Sequence, residues 1–337
     1  MNNTILPNNI DRGNVSEIYR QGLLTLVFKA AQVHRDTHNA NEIQCASLLS
    51  IKTGGCPENC SYCPQSVHYE TDIQSEPLMS TTKVVEAAQE AKATGADRFC
   101  LGAAWREVTD GPEFDQILEM VRQIKTTGLE TCVTLGMLNE QQATRLKEAG
   151  LDYYNHNLDT GPAFYSNIIT TRCYEDRLRT LSAVREAGVK VCCGGILGMG
   201  ESHEDRIDLL YELARQNPPP ESVPINTLVA VEGTPLETQQ AVPWDDLLRV
   251  IATARILMPA SKIRLSAGRL NMTDTLQAFC FLAGANSVFL GDRLLTTANS
   301  AINTDFELLD RLGLHAVLPL EQHSEDQNQE TVTQSTT

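Results

Sequence analysis

Apolar or β-branched segments alternate with helical patterns through most of the chain, and this alternation constrains the fold more than any other feature. The predicted strands lie near residues 45–52, 97–103, 129–135, 151–158, 189–197, 223–231, 262–267 and 286–290. Helical patterns lie between most of them, at residues 80–95, 113–127, 139–149, 173–187, 202–216, 244–258 and 271–283. Alternating strands and helices predict parallel strands joined by right-handed crossovers.

Eight such repeats in a chain of 337 residues predict an α/β fold, a closed (β/α)8 barrel of the TIM type. The alternative is an open, doubly wound sheet. Residues 1–40 are interpreted as an N-terminal helical extension, residues 41–318 as one barrel domain, and residues 319–337 as a polar, disordered C-terminal tail. Active sites of these barrels lie at the carboxyl ends of the strands, so functional residues should lie late in strands or just after them.

Charge and composition exclude several classes of function. The net charge of −16 disfavours binding to nucleic acid or to anionic lipid surfaces. No apolar run approaches the roughly 18 residues of a membrane span, and the polar start lacks the features of a secretory signal. We therefore expect a cytoplasmic protein with neither a membrane nor a nucleic acid as partner. In such a protein, ten cysteines favour metal or redox chemistry over disulfides.

Three of the cysteines, Cys56, Cys60 and Cys63, follow the first predicted strand with C-x3-C-x2-C spacing. Thiolates at this spacing can converge on one inorganic site, and they suit iron–sulfur clusters and zinc. A four-iron cluster held by three cysteines would leave one iron without a protein ligand. A zinc site would need a fourth ligand, which His68 is close enough in sequence to supply. Unpaired structural cysteines are the third possibility, and the spacing favours the iron–sulfur cluster.

Two other segments at predicted strand ends carry ligand-binding signals. Gly194 and Gly195 begin a glycine-rich stretch that permits close approach of a ligand to the backbone, although a turn without a ligand would look similar. Asn155, Asn157 and Asp159 alternate along the fourth predicted strand and therefore share one face. On an inward face they would need polar partners, which a ligand could supply. The alternative is a hydrated strand end.

Cys100, Cys132, Cys192 and Arg264 lie in the middle of four different predicted strands. One layer of side chains inside a barrel comes from several strands, so these residues could form such a layer. Each cysteine alone would usually be a small buried hydrophobic residue. A guanidinium inside a barrel must meet anions, either in an ion pair or near thiolates and sulfides.

The loop motif after the first strand of a (β/α) barrel resembles that of the radical S-adenosylmethionine enzymes. Within that superfamily, the three strand cysteines together with Arg264 resemble the set found in the biotin synthase family. The similarity runs from Ser47 to about Thr297 and fails at the two ends. Cys193 is extra to the pattern, and adjacent residues point to opposite faces of a strand, so Cys192 is predicted to face the barrel interior.

The resemblance implies an enzyme, a sulfurtransferase that inserts sulfur into dethiobiotin to form biotin. A 4Fe–4S cluster on the three loop cysteines would cleave S-adenosylmethionine to a radical that takes hydrogen from the substrate. A 2Fe–2S cluster on Cys100, Cys132, Cys192 and Arg264 would donate a sulfide to the product. The resemblance further implies an external one-electron donor and a homodimer.

The resemblance also implies contacts for the two small molecules. The residues expected at S-adenosylmethionine are Tyr62, Ala103, Trp105, Asn157, Asp159, Arg177, Gly194, Gly195 and Ile196. Those expected at dethiobiotin are Lys52, Asn155, Asn157 and Asn226. Two rival functions remain: a radical enzyme with another task, such as a mutase or a lyase, and a zinc-stabilised binding protein.

Overall fold

The structure is a computed structural model that describes residues 10–317, so the predicted disordered tail at 319–337 lies outside the described residues. Ten strands are assigned: β1 Glu42–Lys52, β2 Arg98–Ala103, β3 Glu130–Thr134, β4 Tyr153–Asn155, β5 Lys190–Cys192, β6 Gly195–Leu197, β7 Ser222–Thr227, β8 Lys262–Leu265, β9 Ser287–Leu290 and β10 His315–Ala316. The helices are α1 Arg12–Tyr19, α2 Leu23–Thr37, α3 Thr81–Ala93, α4 Pro112–Lys125, α5 Glu140–Glu148, α6 Pro162–Tyr165, α7 Tyr174–Glu186, α8 His203–Ala214, α9 Trp244–Leu257, α10 Asp274–Leu282 and α11 Ile302–Arg311.

The sheet closes on itself, because β1 pairs in parallel with β2 on one side and with β9 on the other. Every strand-to-strand pairing in this sheet is parallel, and helices separate consecutive strands along most of the chain. Counting β5 and β6 as two halves of one strand gives eight barrel strands, while β10 pairs in parallel beside the first two residues of β1. The predicted (β/α)8 barrel is confirmed, and the open doubly wound sheet is wrong.

The fifth barrel strand differs from the prediction. Residues 189–197 form two short strands, and the chain between them includes Gly194. A Cβ atom on Gly194 would lie 1.9 Å from the carbonyl oxygen of Pro224 on β7, so a side chain has no room there. The Gly194 amide donates to the Oδ1 atom of Asn157 at 3.1 Å instead of continuing the ladder. Close backbone packing therefore accounts for this glycine.

The N-terminal helices pack onto the barrel. Val15, Ile18 and Leu26 are buried, and α1 and α2 contact α8 and α9. The Arg249 guanidinium on α9 donates to the carbonyl oxygens of Tyr19 and Gln21 at 2.6 and 2.7 Å. The predicted helical pattern in this region is thus confirmed for residues 12–37. No helix within residues 10–317 is long and apolar enough to cross a membrane.

Gly194→Ala should lower the free energy of unfolding by about 3 kcal/mol or more, because the new methyl group meets a backbone carbonyl that cannot rotate away. Gly22→Ala is the control, since a Cβ atom there would have no neighbour within 4 Å. The control should cost at most about 1 kcal/mol, from a weaker helix cap. Urea denaturation followed by circular dichroism measures both changes, and equal losses would contradict the packing argument.

Candidate active site in the barrel

A cavity of about 340 Å³ opens at the carboxyl ends of the barrel strands. It is lined by both groups of cysteines that the sequence singled out, and by most of the other predicted site residues. The predicted residues in its wall are Cys56, Cys60, Tyr62, Cys63, Cys100, Ala103, Trp105, Cys132, Asn155, Asn157, Asp159, Arg177, Cys192, Ile196, Asn226 and Arg264. Lys52, Gly194 and Gly195 are not in the wall. The barrel thus brings together residues that are more than 200 positions apart in the chain.

The loop that carries Cys56, Cys60 and Cys63 begins directly after β1. The Cys56 amide donates to the Gln65 carbonyl at 3.0 Å, and the Cys63 amide donates to the Cys60 carbonyl at 2.9 Å, so the loop is a closed structure. Burial raises the pKa of the Cys60 thiol to about 11 and that of the Cys63 thiol to about 12. Without a partner these thiols hold their protons, whereas iron would displace the protons and bind the thiolates. Three soft donors beside a cavity fit a four-iron cluster with one open iron.

A second segment, residues 168–172 between α6 and α7, holds the cysteine loop in place. The Ser61 amide donates to the Ile168 carbonyl at 3.0 Å. The Asn59 side-chain oxygen accepts from the amides of Thr170 and Thr171 at 2.9 and 3.2 Å. These bonds fix the loop through residues that lie between its cysteines, so the three sulfur atoms are presented on a prepared surface.

His68 is not positioned to act as the fourth ligand of a zinc ion on the cysteine loop. The Nε2 atom of His68 lies 3.0 Å from the Pro57 carbonyl oxygen, and His68 is absent from the cavity wall. Among residues 10–317, no group of three or more His, Cys, Asp or Glu side chains surrounds a position for a single metal ion. A cluster needs a different arrangement, because each of its cysteines binds a different iron atom. The geometry therefore favours the iron–sulfur cluster at this loop.

Cys100, Cys132 and Cys192 meet inside the barrel, below the loop. Cys100 and Cys132 are register partners on β2 and β3, and Asn155 on β4 is the register partner of Cys192. The three thiols pack in one buried cluster. Their mutual interaction raises the pKa of Cys132 and lowers the pKa of Cys100 and Cys192. Cys193 belongs to the core on the other face of the sheet. Cys192 therefore faces the barrel interior, as predicted, and Cys193 faces the opposite side of the sheet.

Arg264 lies beside these cysteines and is 1% exposed. An ion pair was one expected explanation for this residue, but its hydrogen bonds go to neutral groups. The Nε atom donates to the Ser287 hydroxyl at 2.8 Å, and Nη2 donates to the Gln44 side-chain oxygen at 3.1 Å. A buried cation without a carboxylate is costly unless another anion is present. The nearby thiols can supply that anion as thiolates of a cluster. The neighbouring Cys132 lowers the pKa of Cys100 and Cys192 most, and the positive charge of Arg264 lowers it further.

Asp159 connects the cysteine loop to the strand ends. It is 2% exposed and has a φ of 67°, in the left-handed region that few residues other than glycine adopt. Its Oδ2 atom accepts from the Tyr62 hydroxyl at 2.8 Å and pairs with the Arg177 guanidinium. Arg177 also donates to the Asn157 carbonyl at 2.6 Å. Asp159 thus positions two residues of the cavity wall, a role that the strand pattern alone did not reveal.

The amide side chains predicted for the substrate already bond within the protein. Asn155 Nδ2 lies 3.3 Å from the Cys192 sulfur, and Asn226 Nδ2 donates to the Gly195 carbonyl at 3.0 Å. Lys52 directs its Nζ atom to the Gly54 carbonyl at 3.4 Å. The roles of these residues, and of Gly194 and Gly195 at the cofactor, stay predictions.

Two residues that the sequence analysis did not select also line the cavity, His156 and Arg172. His156 is 3% exposed, its Nε2 atom has no hydrogen-bond partner in the described part of the chain, and burial holds its pKa well below the usual value. The available signal for His156 was its place between Asn155 and Asn157. Arg172 had no such signal, since it precedes a helix on a remote segment.

A parallel barrel with a three-cysteine loop after its first strand defines the class of protein. A model of the "Radical SAM superfamily" matches residues 50–214, and a model of the "Biotin and Thiamin Synthesis associated domain" matches residues 224–315. Among solved structures, methylornithine synthase superposes with a TM-score of 0.75 at 19% identity, covering 92% of this chain and 94% of that chain. HydG, a maturase of the FeFe-hydrogenase, superposes with a TM-score of 0.78 at 16% identity, covering 91% of this chain and 72% of that chain. At these identities the superpositions establish the fold alone.

Sequence similarity over about 90% of the chain identifies the family within this superfamily. Biotin synthase from Myxococcus xanthus is 59% identical over 90% of this chain and 88% of its own length. Biotin synthase from Bordetella petrii is 58% identical over 90% of this chain and 89% of its own length. The chain belongs to the biotin synthase family, the radical S-adenosylmethionine sulfurtransferases.

Asp159→Asn should destabilise the fold by about 3–5 kcal/mol, because it leaves the Arg177 guanidinium, 4% exposed, without its counter-charge. Glu119→Gln is the control. It removes one side of an exposed helical pair with Arg122, whose charges solvent screens, so its effect on the free energy of unfolding should be much smaller than that of Asp159→Asn. Both free energies come from urea denaturation. If Asp159→Asn unfolds like the wild type but binds S-adenosylmethionine more weakly, the carboxylate acts on the ligand rather than on Arg177.

Proposed function

We propose that the barrel cavity is the active site in which this chain converts dethiobiotin to biotin. The observation that carries the proposal is that one cavity is lined by the three cysteines of the loop and by a second set of three strand cysteines with Arg264. A radical enzyme that only cleaves or rearranges carbon bonds needs the first set and has no use for the second. A sulfur-inserting enzyme needs both.

In this proposal Cys56, Cys60 and Cys63 hold a 4Fe–4S cluster, and Cys100, Cys132, Cys192 and Arg264 hold a 2Fe–2S cluster. When bound, these clusters and S-adenosylmethionine supply the electron, the hydrogen-abstracting radical and the sulfur atom of the reaction. The protein supplies position. The loop presents its cysteines at the cavity mouth, and the strands present theirs deeper in the barrel.

The space between the two cysteine sets is where the small molecules bind. Tyr62, Asp159 and Arg177 form one wall beside the loop and are assigned to S-adenosylmethionine. The assignment extends to Ala103, Trp105, Asn157 and Ile196 in the same cavity wall. Asn155 and Asn226 lie at the ends of β4 and β7 and are assigned to dethiobiotin, with Lys52 at the edge.

Two parts of the proposal rest on the family resemblance alone, a homodimer and an external one-electron donor. A third part, a cytoplasmic location, rests on the sequence features described above. The resemblance does not indicate which surface of this chain would form the dimer or bind the electron donor. Size-exclusion chromatography with light scattering measures the oligomeric state directly.

Replacing Cys56, Cys60 or Cys63 by Ala should abolish reductive cleavage of S-adenosylmethionine, because each change removes a cluster ligand. Cys173→Ala is the control, since Cys173 is exposed at the start of α7 and is absent from the cavity wall. Formation of 5′-deoxyadenosine under dithionite is the measurement. Wild-type rates in any loop variant would exclude the loop as the site of cleavage.

Cys132→Ala should separate the two sites, because Cys132 lies in the barrel wall and not on the loop. The variant should still form some 5′-deoxyadenosine but no biotin. Arg264→Met should keep part of the activity, since other groups can compensate its charge.

The source of the sulfur tests the function itself. The wild-type protein is reconstituted with isotopically labelled sulfide, allowed one turnover with dethiobiotin, and the biotin is weighed by mass spectrometry. Label in the biotin is the expected result. Unlabelled biotin together with an intact labelled 2Fe–2S cluster would mean that the second site does not supply the sulfur.

A further inference from the structure

Arg172 is a cation at the cavity that the proposed function leaves without a role. Its side chain is 8% exposed and lines the cavity. The Nη2 atom lies 3.7 Å from the sulfur of Cys60, within hydrogen-bond distance for sulfur. Its Nε atom is buried and has no hydrogen-bond partner in the described part of the chain. A guanidinium stays protonated, so this buried position holds a full positive charge.

The position of Arg172 is set by the segment that holds the cysteine loop. Residues 168–172 bond to Asn59 and Ser61, which lie on either side of Cys60. Arg172 therefore moves with the loop, and its distance to the Cys60 sulfur is a property of the folded loop and not of a free side chain.

Glu58 could have neutralised Arg172, but it is shared. Its carboxylate is buried and lies 3.9 Å from Arg172 Nε, beyond hydrogen-bond distance. Arg106 approaches the other oxygen of Glu58 at 3.5 Å, and the Thr171 hydroxyl bonds to the oxygen nearer to Arg172. The sulfur of Cys60 is consequently the hydrogen-bonded acceptor that remains for Arg172.

The other cations in the cavity wall have different partners. Arg177 pairs with Asp159, and Arg264 bonds to Ser287. Lys52, which lies outside the wall, bonds to Gly54. Among the lysines and arginines of residues 10–317, only Arg172 donates a side-chain hydrogen bond to a cysteine of the loop.

We propose that Arg172 is a positioning residue that holds the Cys60 sulfur and raises the reduction potential of the cluster on the cysteine loop. Reduction adds a negative charge to a cluster whose ligands are already anionic. Hydrogen bonds to the sulfur atoms and nearby positive charge stabilise the reduced form, and their effect is largest where water is excluded. Arg172 thus makes the electron transfer that precedes cleavage of S-adenosylmethionine more favourable. This inference rests on the proposed four-iron cluster.

The test compares reconstituted wild-type protein with Arg172→Gln, Arg172→Lys and Arg106→Gln. Iron and sulfide analysis reports cluster content, and a redox titration followed by the EPR signal of the reduced four-iron cluster gives the midpoint potential. Arg106→Gln is the matched control. Arg106 is a cation near the same loop, but its side chain does not contact a sulfur atom and is 37% exposed.

Arg172→Gln should keep the cluster and shift its midpoint to more negative values. The expected change is about tenfold in the equilibrium between oxidised and reduced cluster, or about 59 mV for one electron. Arg172→Lys keeps the charge but loses the planar donor, so its shift should be smaller and in the same direction. Arg106→Gln should shift the midpoint less than Arg172→Gln, because solvent screens its charge.

A wild-type midpoint in Arg172→Gln overturns the inference, and so does an equal shift in Arg106→Gln. If Arg172→Gln takes up no iron, Arg172→Lys decides, and a wild-type midpoint there overturns the inference as well. Wild-type protein that binds no four-iron cluster defeats the proposed function instead. The two failures are therefore distinguishable from the iron content of the wild-type protein alone.

Discussion

Parallel pairing between β1 and β9 closes the barrel, and every part of the site depends on this closure. In a closed parallel sheet all carboxyl ends meet at one rim, so the loop after β1 faces the ends of β4 and β7. The same closure turns alternate residues inward, which brings Cys100, Cys132 and Cys192 into one buried cluster. An open sheet of the same strands would leave these groups on a surface.

The cavity wall is rich in positive charge, although the chain as a whole is negative. The chain carries a net charge of −16, yet the cavity wall contains Arg172, Arg177 and Arg264. Arg177 pairs with Asp159, Arg172 lies 3.9 Å from the shared carboxylate of Glu58, and the hydrogen bonds of Arg264 go to neutral groups. Buried cations without counter-charges destabilise a protein unless an anion binds near them. Thiolate-bound iron–sulfur clusters and the carboxylate of S-adenosylmethionine are anionic, so the wall is electrostatically suited to the ligands assigned to it.

Sequence patterns predicted the number and order of the barrel strands well, because each strand must bury its side chains and therefore reads as an apolar run. Strand lengths were predicted less well. The fourth predicted strand, 151–158, is reduced to Tyr153–Asn155, and the fifth divides near Gly194. Periodicity indicates burial, and most of the residues after these short strands are buried. Single backbone hydrogen bonds, such as that from the Leu158 amide to the Gly194 carbonyl, continue the pairing there without a regular strand. The glycines near residue 194 were interpreted either as permitting close approach of a ligand or as a turn without one. The structure shows them packed against the β7 backbone and Leu209, and their role at the cofactor stays a prediction.

The amino-acid sequence by itself determined the fold class, the three-cysteine loop and the family. The spacing of nearby cysteines and the alternation of strands and helices are both visible along the chain. Only the tertiary structure decided the partners of the charged groups. It joined Asp159 to Tyr62 and Arg177, left Arg264 without a carboxylate, and placed Arg172 against Cys60. Hydrogen bonds and ion pairs form over a few ångströms between residues far apart in the chain, and spacing along the chain carries no record of those distances.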